Sequence, residues 1–313
     1  MRTCLAILFS VCFAVVARAE APIHDIPKLD KIVLDGKADD WGDRGFRVDL
    51  VADRKGQVRP LDEFDAKFRL GWNDEGLLVL VTVKAKAPVE AAGTDLWSGD
   101  SIEMFVAATR QSRQYYQVDI APGVDSSHPE LRKLVLDKRE KRLGELEVQA
   151  ARTKTADGYV CEVLLPWKPI GVDPKTGPVA AFQIYVNYYG DQKTGKYQVT
   201  WHPYNEAHHD PNAMENIRLA DKASPPVTTL ASALDTDGQM VLTVIADKKR
   251  VGRKVTITLQ DKTVGEGELK EEGGRALLRL PMPAGPLQDW VAHIGKETLP
   301  VVKRHGGVHF QAY

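Results

Sequence analysis

Hydrophobic and polar positions alternate with a period of two over much of this chain, the mark of half-buried strands. Residues 65–84 give the clearest hairpin: Ala66, Phe68, Leu70 and Trp72 alternate with polar residues, Asn73-Asp74-Glu75-Gly76 turns the chain, and Leu77 to Val83 returns almost wholly apolar. That return strand is expected to be buried on both faces. A strand over 101–107 sends Ile102, Met104 and Val106 to one face and Glu103 to the other. A strand over 114–121 places Tyr116, Val118 and Ile120 opposite Tyr115, Gln117 and Asp119. Further strands are expected near 146–154, 158–165, 180–189 and 198–201, with Ile217 to Leu219 closing the unit. Between them, Leu131, Leu134, Val135 and Leu143 in the charge-dense stretch Pro129 to Glu147 are spaced for a short amphipathic helix, with Lys138 to Arg142 as its solvated face.

Ala223-Ser224-Pro225-Pro226 reads as a linker. Beyond it, Val241–Ala246, Val255–Gln260, Ala276–Leu280 and Trp290–Ile294 recur as short strands, punctuated by Asp237-Gly238 and Gly273-Gly274. The fold expected is therefore all-β: an antiparallel β-sandwich over 20–222, a linker at 223–226, and a small immunoglobulin-like β-sandwich over 227–313 without paired cysteines. The start of the chain stands apart. Arg2, the apolar run Leu5 to Val16 and Ala17-Arg18-Ala19 make residues 1–19 a cleaved secretory signal, and no later apolar run is long enough to span a bilayer. A secreted or periplasmic location follows as an expectation. Cys4 and Cys12 leave with the signal, so Cys161 has no intrachain partner and is expected to be a buried, inert thiol.

A net charge of −1 with interspersed signs argues against nucleic acid or a membrane surface as partner. P-loop, G-x-G-x-x-G, G-x-S-x-G and H-E-x-x-H motifs are lacking, which removes the usual signatures of nucleotide, serine-hydrolase and zincin chemistry. What chemistry there is gathers around Leu96-Trp97-Ser98-Gly99-Asp100-Ser101-Ile102-Glu103. An indole in a turn, followed by an acidic acceptor on the polar face of the next strand, suits a ligand with apolar C–H faces and hydroxyls. A sugar is such a ligand. Glu103, Gln117, Asp119, Gln183, Tyr185 and Asn187 fall on polar strand faces and would line one surface if those strands are neighbours; any antiparallel sheet with one solvated face alternates the same way. Trp41, Trp72 and Trp167 are expected in the core. Asp100 with Glu103, or Glu103 with Asp119, has the composition of a glycosidase pair, but Asp100 is better explained as the acceptor that fixes its turn. An enzymatic role is left open and disfavoured. Asp35, Asp39 and Asp40, with Asp43, are oxygen donors that calcium would accept. The adjacent His208 and His209, in a strand-like segment, would point apart and need a third ligand to hold a transition metal.

Four landmarks occur in order: Val33 to Trp41 (VLDGKADDW), Phe68 to Leu77 (FRLGWNDEGL), Leu96 to Phe105 (LWSGDSIEMF) and Leu165 to Lys168 (LPWK). Together, over about 30–220, they resemble family 9 carbohydrate-binding modules and the wider DOMON-like group. The resemblance implies a β-sandwich with a shallow sugar site, bound calcium in some members, and non-catalytic capture of oligo- or polysaccharide ends. It implies a ligand held between two Trp rings, the first at Trp97, with the acidic residue at Glu103 and further polar contacts at Gln117 and Asp119. In the late loop it places an Asn at Asn205 and the second ring near His208, where this chain has no Trp; Tyr204 or His208 would have to complete the clamp. Two alternatives stand beside this: a DOMON-like haem b electron-transfer protein using Met214, His208, His209 or Met104, and a structural or adhesion domain that has lost its ligand. No cofactor is required by the sugar reading, and protein partners are not specified.

Overall fold

The computed structural model describes residues 22–53, 55–190, 196–203, 206–236, 239–282 and 289–305. The proposed signal at 1–19, Tyr204, Asn205 and the Asp237-Gly238 pair lie outside them. Within these residues the chain forms four β-sheets, two built from 23–220 and two from 230–305. No described helix is long and apolar enough to cross a membrane.

The first part contains β1 (Ile23–Pro27), β2 (Phe46–Leu50), β3 (Phe64–Trp72), β4 (Gly76–Ala85), β5 (Ser101–Ala107), β6 (Tyr116–Ala121), β7 (Arg132–Asp137), β8 (Arg142–Leu143), β9 (Gln149–Lys154), β10 (Gly158–Pro166), β11 (Val179–Tyr188), β12 (Tyr197–Thr200) and β13 (Glu215–Ala220). One sheet runs β2-β3-β4-β10-β9; the other runs β1-β13-β11-β5-β6-β7-β8, with β12 also paired to β11. All named pairs in this part are antiparallel except β1 with β13. The alternation read from the sequence is what packs the two sheets together. Phe68, Leu70, Val79, Val81, Val163 and Leu165 from one meet Ile102, Met104, Val106, Val118, Ile120, Ile184 and Val186 from the other in a single core, which also takes Trp72, Trp167 and Cys161. The indole N–H groups of Trp72 and Trp167 donate to the carbonyls of Ala220 and Asn73, which removes the cost of burying those donors.

Strand β4 is buried on both faces, as its continuous apolar run implies. Its outward Leu78 and Leu80 are covered, with Leu164, by Leu29 and Trp41 from the segment before β2. That segment is pinned at a buried carboxylate. Glu162 accepts from the backbone N–H groups of Asp35 (2.9 Å) and Gly36 (2.7 Å) and from Trp41 Nε1 (2.8 Å). Gly36 has φ +80°, and a Cβ there would stand 2.5 Å from the Arg152 backbone, so both conformation and space demand glycine.

The expected helix over 129–147 is not formed. Residues 132–143 make the β7–β8 hairpin, with β7 paired to β6 along its length. The spacing of Leu131, Leu134 and Val135 fits either period over so short a stretch, and the turn decides. Asp137 Oδ1 accepts from the N–H groups of Arg139 and Glu140, and Lys141 takes the left-handed conformation (φ 51°), so Lys138 to Lys141 reverse the chain.

The second part contains β14 (Leu230–Thr236), β15 (Gln239–Asp247), β16 (Lys254–Leu259), β17 (Lys262–Glu268), β18 (Lys270–Glu272), β19 (Arg275–Met282), β20 (Trp290–Ile294), β21 (Glu297–Pro300) and β22 (Val302–His305). They form sheets β18-β19-β15-β14-β22 and β17-β16-β20-β21 around a core including Leu242, Val244, Val255, Ile257, Ala276 and Trp290. It is a small β-sandwich of the expected class. It meets the first part through Val51, Ala52 and Val58 packed on Leu230, Ile245 and Leu277, and through an ion pair of Arg275 with Asp65 at 2.9 Å.

Candidate functional site

The face of the larger sheet turned away from the core carries the polar members of each alternating strand, and the register sets them in rows. Tyr185 on β11 stands opposite Glu103 on β5, which stands opposite Asp119 on β6. One step along, Gln183, Phe105, Gln117 and Leu136 align across β11, β5, β6 and β7, and Asn187 faces Gln198 on β12. Above this face lies a cavity of about 740 Å³, within the ~300–1,000 Å³ usual for small-molecule sites. Glu103, Gln117, Leu136, Tyr185 and Gln198 form its floor; Trp97, Lys138, Lys196, Tyr197 and His208 stand around it, with Asp53, Lys55, Gln57 and Arg59 from the loop after β2. Trp97 belongs to a 3₁₀ turn (Leu96–Ser98) in which Leu96 is buried and holds the turn down, leaving the indole 44 % exposed. The open ring stands at the rim of the cavity, where a ligand in the hollow would meet its face.

Glu103, only 6 % exposed, is the hub of the floor. Its Oε1 accepts from Asn187 Nδ2 (2.7 Å) and Gln198 Nε2 (3.2 Å) and lies 3.8 Å from Lys196 Nζ. Its Oε2 is 3.5 Å from Gln117 Nε2, which also donates to Asp119 at 3.0 Å. Lys138 Nζ donates to Gln117 Oε1 (3.1 Å). Lys196 Nζ donates to the Trp97 carbonyl (3.0 Å) and lies 5.4 Å from the centre of that ring. Burial raises the Glu103 carboxyl above its ordinary range, against the pull of Asn187 and Lys196. Burial, then the charge of Glu103, pushes Asp119 up to about 7. The same desolvation lowers Lys138 and Lys196, opposed by the two carboxylates. Such a network offers fixed donors and acceptors at the floor of a hollow and a π-face at its wall.

Residues 34–222, more than half of the chain, match the carbohydrate family 9 binding domain-like model. The chain belongs to that family. The endo-1,4-beta-xylanases A of Thermotoga neapolitana and Thermotoga maritima are each 28 % identical to it over 193 residues, 60 % of this chain and 17 % of theirs, so the chain spans about a sixth of the curated relatives it matches. Among solved structures, a family 9 module from Caldicellulosiruptor kristjanssonii in complex with cellotriose aligns with TM-score 0.51 at 18 % identity, covering 66 % of this chain and 100 % of that one. The same organism's module in complex with glucose gives 0.51 at 17 %, covering 65 % and 98 %. At that identity the likeness is one of fold.

Of the family residues expected from the sequence, Trp97, Glu103, Gln117 and His208 line the cavity together. Asp119 and Asn187 do not reach it; they lie buried beside it and hold Gln117 and Glu103 in place. Asp119 is raised because it is buried and Glu103 faces it. Asp100 does fix its turn: Oδ2 accepts from the N–H groups of Val89 and Tyr189. Histidines 208 and 209 lie in a turn rather than a strand, so their rings do not point apart but sit 4.0 Å between centres. Lys138, expected in a solvated run, turns inward instead. Lys196, Tyr197 and the 53–59 loop carried no periodic or motif signal that would have singled them out.

Both Asp35 oxygens bind Lys37, and Asp40 Oδ2 accepts from the Val33 N–H, leaving only Asp40 Oδ1 buried without a partner. Among the described residues no three His, Cys, Asp or Glu side chains are placed to hold a metal ion. Met104 lies in the core between the sheets and Met214 in a separate cluster with Phe105 and Tyr185, and neither lines the cavity.

Proposed function

We propose that this chain captures saccharides reversibly in the cavity above the larger sheet. The observation that carries the reading is the open Trp97 ring beside the same hollow as Glu103. A pyranose ring laid on the indole buries its C–H face, while Gln117, Gln198 and the Lys196–Glu103 pair exchange hydrogen bonds with its hydroxyls. Membership of the family supports this, and so do neighbours described in complex with cellotriose and glucose. Contacts of ~1–3 kcal/mol each, less the entropy of association, give micromolar to millimolar affinity. Export of the chain after cleavage behind Ala19 belongs to the same reading; amino-terminal sequencing of secreted protein should begin at Glu20.

Calorimetric titration with cellotriose and glucose tests the site. Trp97→Ala should weaken binding tenfold or more while the far-ultraviolet dichroism is kept, and unchanged affinity would overturn the assignment. The position of His208 where a second ring would complete the clamp favours one other reading, a structural domain without a ligand. Silence of the folded protein across a glycan array would support it.

A further inference from the structure

Positive charge outweighs negative around the cavity: Lys55, Arg59, Lys138 and Lys196 line it, against Asp53 and Glu103. The carboxylates are answered from within the fold. Glu103 has Asn187, Gln198 and Lys196, and Asp53 Oδ1 accepts from the backbone N–H groups of Lys55 and Gln57. Two of the cations are likewise engaged, Lys196 with Glu103 and Arg59 with Glu63 at 3.6 Å and the Tyr197 ring at 5.1 Å. The other two are not. Lys138 meets a neutral amide oxygen, and among the described residues neither it nor Lys55 forms an ion pair. Lys138 is half-buried with no carboxylate in direct contact, so the more distant Glu103 and Asp119 offset only part of its desolvation cost, and an anion in the hollow would offset more. Burial indeed lowers the Lys138 ammonium from its ordinary value.

We propose that the cavity takes an anionic saccharide, one carrying a carboxylate or sulfate on the ring that lies against Trp97, with Lys138 and Lys55 as its charge partners. This rests on the cavity being a saccharide site. A neutral sugar satisfies the floor but gives those two cations no ion pair; an acidic one can pair with both through charge-assisted hydrogen bonds.

The test is calorimetric titration of the full chain with glucuronate, glucose 6-sulfate and glucose. Either or both anions should bind about tenfold or more tightly than glucose at low ionic strength, a charge-assisted bond exceeding a neutral one by that order. The ratio should shrink in about 0.5 M sodium chloride, where charge interactions reach only ~4 Å. In Lys138→Gln, and further in Lys138→Gln with Lys55→Gln, the ratio of anion to glucose affinity should fall toward one. A preference for glucuronate alone names a carboxylate, and for the sulfate ester alone a sulfate. Equal or tighter binding of glucose overturns the inference and leaves the saccharide site standing. A ratio unmoved by the double substitution overturns the assignment to these lysines, and silence toward all three from folded protein overturns both readings.

Discussion

Asp119→Asn removes a carboxylate that the fold holds at a cost, and the size and pH dependence of the gain follow from where it sits. Asp119 has no exposed surface and faces Glu103 across β5 and β6. Burial and that neighbour push its carboxyl from 3.8 to about 7. A folded-state value above the unfolded one means that the folded chain binds the extra proton between them. The carboxyl therefore costs nothing below about pH 4, costs progressively more as the pH rises, and costs its full amount above about pH 7. Roughly three pH units correspond to about 4 kcal/mol as a ceiling. Asparagine keeps the shape and one acceptor for Gln117 Nε2 but gives up the attraction of Lys138 and Lys196. About 2 kcal/mol of stabilisation at pH 8 and close to none at pH 4 is the expectation. For a chain of this size that is a rise in Tm of about 4–8 °C at the higher pH. Thermal unfolding of both proteins across pH 4–8 measures it. A variant less stable than the parent at pH 8, or a difference independent of pH, would refute the reasoning.

Glu162→Ala should destabilise the first part by about 3–5 kcal/mol in urea unfolding, because three donors converge on that buried carboxylate; a loss below 1 kcal/mol would show that the 35–41 turn holds itself. Gly56→Val introduces a β-branched residue at φ +73° with its Cβ 3.4 Å from Ser232 Oγ. It should cost about 1–2 kcal/mol and weaken ligand binding severalfold by moving Lys55 and Gln57, whereas unaltered affinity would separate that loop from the site. Cys161, fully buried and pushed up to about 12 by desolvation, should resist thiol reagents in the folded protein and react only on unfolding.

What the sequence made legible is what a period of two encodes. The faces of β5 and β6, the doubly buried β4 and the core position of Trp72 follow from alternation and from the length of apolar runs, whereas Trp41, in a turn, and Trp167, opening a short helix after β10, reach the core without a strand period to place them. The register that aligns Glu103 with Asp119 and Tyr185 does not follow, since it depends on which strands become neighbours. The hairpin at 132–143 was hidden because leucines three and four apart over a single stretch fit a helix as well as a strand, and only the Asp137 turn separates them. Lys138 was hidden for the same reason. Within five consecutive charged residues nothing marks the one whose side chain folds back over β6, while its neighbour Arg139 stays on the surface. The His208–His209 contact depends on a turn with no glycine or proline inside it to announce it.

The indole N–H resonances of the full chain during titration with cellotriose test the central claim most directly. The signal assigned through Trp97→Phe should move with ligand while those of Trp41, Trp72 and Trp167, buried in packed cores, stay in place. A saturable shift confined to other indoles, or binding undiminished in Trp97→Phe and Trp97→Ala alike, would contradict the account.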